Sequence, residues 1–260
     1  MKKGRLSGIT IVVTRPEPAA TKTVQALNAE GAQAVAMPLL NITPLPVQDV
    51  VATHQPLLAS LGAPTKVIFV SSHAVQFGLP VLRQLPKFFA QAEPLAIGAA
   101  TAAQLTAQGM QNVAVPASGE DSEALLADPM LQQIYGQTIV IVKGESEAGG
   151  RALLAETLAA RGARVVNMVC YRRAPVVLPP AARAALRQAV ESSTYVLAGS
   201  VETLDALELN GGEALLSRMR HLLVPHVRIA NVAMARGVPQ VSVVSLEDNN
   251  LIDALAKMAD

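Results

Sequence analysis

A duplication runs the length of this chain and dictates two similar domains before any single element is assigned. Thr10-Ile11-Val12-Val13-Thr14-Arg15 returns as Thr138-Ile139-Val140-Ile141-Val142-Lys143, with a cation closing both runs. Val67-Ile68-Phe69-Val70-Ser71-Ser72 returns as Tyr195-Val196-Leu197-Ala198-Gly199-Ser200, and Leu95-Ala96-Ile97-Gly98 as Leu222-Leu223-Val224-Pro225. Gly31-Ala32-Gln33-Ala34-Val35 falls on Gly162-Ala163-Arg164-Val165-Val166, and the segment after it, 37–44, falls on 168–175. These last two are equivalent connectors, one carrying Tyr171 where the other carries Leu40. The period, near 130 residues, is far too long for a solenoid repeat.

Hydrophobic residues make up 51% of the 260, aromatic residues 3%, and there is no Trp. The cores are therefore aliphatic, as in parallel sheets buried under Ala/Leu helices. A net charge of +1 with mixed signs excludes the basic face of a nucleic-acid binder. The single cysteine, Cys170, rules out an internal disulfide and fits a reducing compartment. The basic opening is interrupted by Arg15-Pro16-Glu17, unlike a signal peptide, and no window offers the roughly 18 apolar residues of a membrane span. The expectation is a soluble cytoplasmic protein with no membrane and no nucleic-acid partner.

Hydrophobic periodicity predicts strands at 10–14, 33–40, 67–71, 95–97, 112–115, 138–142, 163–171, 195–198, 221–224 and 241–244. Helices are predicted at 21–30, 73–85, 101–108, 150–160, 180–191, 201–209 and 229–236, with others starting at Ser122, as N-cap, and Asn249. Strands alternating with helices of this length form parallel α/β sheets. The units occur as strand-helix-strand piece, longer piece, then each again. Two assemblies are open: each short piece with the longer piece that follows it, or the crossed arrangement, in which both connectors link the same two domains.

Val13-Thr14-Arg15-Pro16, Phe69-Val70-Ser71-Ser72-His73-Ala74-Val75, Ile97-Gly98 with Thr101-Ala102, Gly149-Gly150-Arg151-Ala152-Leu153-Leu154 running to Gly162-Ala163, and Val169-Cys170-Tyr171-Arg172 together resemble the sparse pattern of the uroporphyrinogen-III synthase family. The resemblance implies two similar flavodoxin-like lobes with parallel sheets, a bilobal molecule joined by a two-stranded connector. It places 1–38 and 177–260 in one lobe, 46–168 in the other, and the connectors at 39–45 and 169–176. It implies dehydration and closure of the linear tetrapyrrole hydroxymethylbilane with inversion of ring D, giving uroporphyrinogen III with no metal or organic cofactor. A monomer with transient contact to hydroxymethylbilane synthase goes with it. His73 stands where the family more often has Asn, Lys143 where it has Arg, and Gly199 where Ser or Thr is common.

A substrate of eight carboxylates meeting a net charge of only +1 must be recognised by local donors rather than by long-range attraction. In parallel α/β sheets those donors sit beyond the carboxyl ends of strands, where helix N-termini present unpaired N–H groups. Ser71, Ser72, Gly98, Thr101, Gly144 and Ser200 occupy such turns, and Arg15 and Lys143 share one strand end in the two copies. These eight are the candidate substrate contacts, expected on opposing walls of one cleft. For the serines the plain alternative is a helix cap, and for the cations a solvated surface position. Tyr171 is the catalytic candidate, because a phenol, with a reference pKa of about 10, is protonated near neutrality and can donate to a departing hydroxyl. Its plain alternative is a packed tyrosine with its hydroxyl on the backbone.

The four histidines, 54, 73, 221 and 226, lack metal-ligand spacing. The run 143–151 lacks the endings of phosphate or dinucleotide loops, and no nucleophile elbow is found. The acidic run Glu120-Asp121 with Glu123 reads as helix-start electrostatics. The competing function is a non-catalytic two-lobe binder of an anionic small molecule.

Overall fold

The structure is a computed structural model that describes residues 4–59, 65–119, 121–145 and 150–259. The chain begins with β1 (Thr10–Val13), α1 (Ala19–Ala29), β2 (Gln33–Ala36), β3 (Leu40–Pro44), α2 (Val47–Ala59), β4 (Thr65–Phe69), α3 (Ser72–Arg83), α4 (Pro86–Phe89), β5 (Ala92–Ala96), α5 (Ala99–Ala107) and α6 (Ser122–Ala127). It continues with β6 (Thr138–Glu145), α7 (Gly150–Ala160), β7 (Arg164–Pro175), α8 (Pro180–Ser192), β8 (Tyr195–Leu197), α9 (Val201–Gly211), β9 (Leu222–Val224), α10 (Val227–Ala235), β10 (Val241–Val243) and α11 (Asp248–Ala259). Two compact units result: residues up to Ile42 with those from Ala174 onward, and Thr43–Arg173.

The first unit carries a parallel sheet in the order β10-β9-β8-β1-β2. Alternation along β1 sends its residues to opposite faces. Val12 packs with Val196, Leu222 and Val224 beneath α8, α9 and α10, while Ile11 and Val13 pack with Leu197 and Leu223 beneath α1 and α11. Both faces are covered, so the strands read as continuous apolar runs.

The second unit has the order β3-β7-β6-β4-β5, with β7, β6, β4 and β5 parallel. β3 runs against β7: Leu45 donates to Cys170 O at 2.9 Å, while Leu39, earlier in the chain, accepts from Val176, later in it, at 2.8 Å. Pairing of β1 with β8 and of β4 with β6 is the crossed arrangement of the repeats.

Four local departures from the periodicity have physical causes. The strand expected at 112–115 contracts to a bridge between Leu95 and Ala114, at the edge where the other sheet has β10. Asn112 sits at φ 53 and Pro116, with no N–H, follows closely, so the extended run cannot lengthen. The strand expected over 33–40 divides into β2 and β3 around Pro38. Helix α2 was hidden by Pro56, which it nonetheless contains while burying Val50 and Leu58. Asp121, not Ser122, caps α6, its carboxylate accepting from Ala124 N at 2.8 Å; Glu120, from the same acidic run, lies outside the described residues, as do 146–149 of the Gly-rich run. Among the described residues no helix is long and apolar enough to cross a membrane.

One titrating contact in the first unit makes stability depend on pH. The His221 ring faces Tyr195 at 5.1 Å, with Nε2 2.8 Å from Ser242 Oγ, and burial lowers its pKa from the ordinary 6.5. The unfolded chain therefore binds this proton at a higher pH than the fold does. His221's contribution is complete above about pH 6.5 and is lost as pH falls from there toward the lowered folded value. Urea unfolding between pH 8 and 5.5 should show a shallower loss of stability for His221→Asn than for the parent; equal slopes would contradict this.

Candidate active site

Strand β7 buries Val166, Met168 and Cys170 in the alternation expected of a strand, and then buries Tyr171 as well. Its register against β6 explains the break: Lys143 faces Val169, but Gly144 faces Tyr171, so Cys170 is an extra residue. Such a bulge re-aims the side chain that follows it. Tyr171 is turned over Gly144, where a Cβ would lie 2.7 Å from its Cζ and 2.8 Å from its Cδ2. The ring is 1% exposed.

Helix α3 sets two further rings against Tyr171. Phe77 and His73, one helical turn apart, lie 5.7 and 5.9 Å from the Tyr171 centroid at 49° and 48°, and stack on each other at 6.2 Å. Tilted pairs at such distances are favourable for aromatic rings. Helix α3 comes this close because Gly78 faces the sheet, where a Cβ would run into Val142 Cγ1 and approach Cys170 Sγ to 3.5 Å. Burial pushes the Cys170 thiol up to about 12, which keeps it from serving as a nucleophile near neutrality.

The phenol's partner is a side chain rather than backbone: Tyr171 Oη stands 2.9 Å from Ser71 Oγ, and either atom can donate. Ser71 caps α3 in extended conformation and accepts from Ala74 N at 3.1 Å. That bond occupies one acceptor site of the hydroxyl and leaves its hydrogen free to point at Tyr171, or Tyr171's at Ser71. Either way the pair retains one O–H to offer a third oxygen.

Other sequence candidates take their places around this pair or in the other unit. Ser72 is the exposed first residue of α3. Gly98 is the extended N-cap of α5, with no side-chain cap, and Thr101 is buried in that helix's first turn. Lys143 is half-buried on β6 beside Gly144. In the first unit, Arg15 Nη1 donates to Thr23 Oγ1 at 2.9 Å and to Leu246 O at 3.0 Å, 3.9 Å from Asp248. Burial pulls this guanidinium below its ordinary pKa and Asp248 works the other way. Ser200 caps α9 through its backbone position, its hydroxyl 3.2 Å from Thr203 Oγ1. The structure thus unites Tyr171, Ser71 and Gly144 in the second unit, and Arg15 and Ser200 belong to the first. Phe77 escaped the sequence reading, although its spacing of four from His73 puts the two on one helix face.

The family model described as uroporphyrinogen-III synthase HemD matches residues 21–221. A uroporphyrinogen-III synthase of Escherichia coli (strain K12) is 33% identical over 255 residues, covering 94% of this chain and 98% of that protein. One from Salmonella typhimurium is also 33% identical, with the same coverage. Among solved structures, a mutant uroporphyrinogen III synthase from the extremely thermophilic bacterium Thermus thermophilus superposes with a TM-score of 0.66 at 19% identity, over 97% of this chain and all of that one. The uroporphyrinogen-III synthetase of Helicobacter pylori 26695 gives 0.55 at 15% identity, over 97% and 100%.

Proposed function

The chain belongs to the uroporphyrinogen-III synthase family, and from that premise we propose how its residues carry out the reaction. The enzyme is a cyclising lyase that removes water from hydroxymethylbilane and closes the ring with inversion of ring D, yielding uroporphyrinogen III; near-complete coverage of the relatives favours this over a non-catalytic binder. The observation that carries the residue assignment is the Tyr171 hydroxyl placed 2.9 Å from Ser71, just past the carboxyl end of β4 and beside that of β6.

Ionising the hydroxymethyl carbon breaks a C–O bond, and the departing oxygen takes the phenolic proton of Tyr171 to leave as water. Ser71 holds the phenol and offers its own hydrogen to the phenolate oxygen in that moment. The cation left on the substrate is stabilised by the pyrrole nitrogens, so the protein need supply only the proton and the geometry. Carboxylates are held at the N-termini of α5 and α9, where the helix dipole favours anions. Ser72, Gly98, Thr101 and Lys143 serve this purpose in the second unit, where Gly144 backs Tyr171, and Arg15 and Ser200 are the corresponding contacts in the first. Isomer choice comes from confinement, which brings the substituted carbon of ring D to the reactive centre. The protein acts as a cytoplasmic monomer that takes its labile substrate in transient contact with hydroxymethylbilane synthase.

The test is incubation of the gel-filtered protein with hydroxymethylbilane, fresh or generated in place by the synthase, and separation of the product isomers. Isomer III should form in the fraction eluting at the monomer mass of 27.1 kDa, faster with the synthase present. Spontaneous isomer I alone would overturn the assignment, and activity confined to a heavier fraction would overturn the monomer.

A further inference from the structure

We propose that Gly144 is a positioning residue: it is the bed for the Tyr171 ring and, with the extra residue Cys170 in β7, fixes where the phenol points. The inference rests on the reading of Tyr171 as proton donor and adds what aims it. Glycine inside a strand is unfavourable, because it lacks a side chain to pack and loses more backbone freedom than other residues. Something must demand it at 144.

The backbone does not. Gly144 is absent from the positive-φ glycines, so its conformation is open to any residue. Space does, since a Cβ there would penetrate the Tyr171 ring at Cζ and Cδ2. Phe77 and His73 pack against the same ring, which leaves it little room to shift. Displacing the ring would disturb those contacts and carry Oη away from its 2.9 Å contact with Ser71.

The duplication supports the pairing of these two positions. In the other half, Pro16 stands where Gly144 stands and Leu40 where Tyr171 stands. Gly and Tyr thus occur together in one copy, and neither occurs in the other. The bulge completes the device: in an unshifted register, Gly144 would face Cys170 and Tyr171 would be carried to Glu145.

Turnover of hydroxymethylbilane and thermal unfolding of the full chain decide the matter for Gly144→Ala, Tyr171→Phe, Gly144→Ala/Tyr171→Phe and Gly144→Ala/Tyr171→Ala. Gly144→Ala should lower kcat about as much as Tyr171→Phe does, on the order of ten- to a hundredfold, with KM changed little. The double Gly144→Ala/Tyr171→Phe should be no slower than Tyr171→Phe, because a displaced ring without its hydroxyl has nothing further to lose. A folded Gly144→Ala with parental kcat, or losses that multiply in the double, would overturn the proposal. Should Gly144→Ala fail to fold, Gly144→Ala/Tyr171→Ala decides: recovery of folding upholds the ring as what glycine accommodates, and failure overturns it. A parental rate for Tyr171→Phe would sink the proton-donor reading, whereas the unfolding of these variants still judges the contact.

Discussion

Replacing Tyr171 with Phe is expected to lower kcat for hydroxymethylbilane by about ten- to a hundredfold while the product remains isomer III. General acids usually contribute about a hundred- to ten-thousandfold. The lower figure applies because the pyrrole nitrogens already drive the hydroxyl away and the acid only assists. The substitution removes one oxygen and leaves the ring on Gly144, against Phe77 and His73. Ser71 loses one partner but keeps its bond from Ala74 and is not fully buried. Loss of stability should therefore stay within about 1 kcal/mol, the net worth of one ordinary hydrogen bond. KM should be nearly unchanged, since the bond in question forms only as the C–O bond breaks. Steady-state kinetics with isomer separation check all three points. An unchanged kcat removes Tyr171 from the mechanism, while a shift toward isomer I would mean that it steers closure as well.

Much of the fold could be read in the residues because the chain states it twice. The β-branched runs at 10–13 and 138–142 are too short for helices and too apolar for edges, and both became central parallel strands. Ser71 and Gly98 were legible as strand-to-helix turns for the same reason. What was not legible depends on partners that are distant in sequence. Met168-Val169-Cys170-Tyr171 reads as an uninterrupted buried strand, and the bulge within it exists only relative to β6. The part played by Gly144 follows from that register, so it could be named as a turn residue but not as the floor under Tyr171. Helix α2 illustrates the opposite failure, a local rule overridden by packing: Pro56 argues against a helix, yet Val50 and Leu58 reach the interior only if one forms.

Gly78→Ala separates two such rules, because propensity and packing predict opposite signs. In a helix interior Ala is favoured over Gly by about 0.5–1 kcal/mol, so on local grounds α3 should gain. The new methyl would be forced into Val142 Cγ1, with Val142 Cβ and Cys170 Sγ both 3.5 Å away. Val142 is fully buried on β6, between β4 and β7, and its branched side chain has little freedom to turn away. Inserting a methyl group into a packed interior costs about 1–3 kcal/mol, so packing wins and a net loss of about 1–2 kcal/mol should appear in urea unfolding. The relief is also specific: Gly78→Ala in a Val142→Ala background should regain about 0.5–3 kcal/mol relative to the sum of the single changes, the range for residues in direct contact. Because Ser71, His73 and Phe77 all ride on α3, turnover should fall with the single change and recover in part with the double. Stabilisation by Gly78→Ala, or strict additivity with Val142→Ala, would show that the helix does not owe its approach to β6 to the missing side chain.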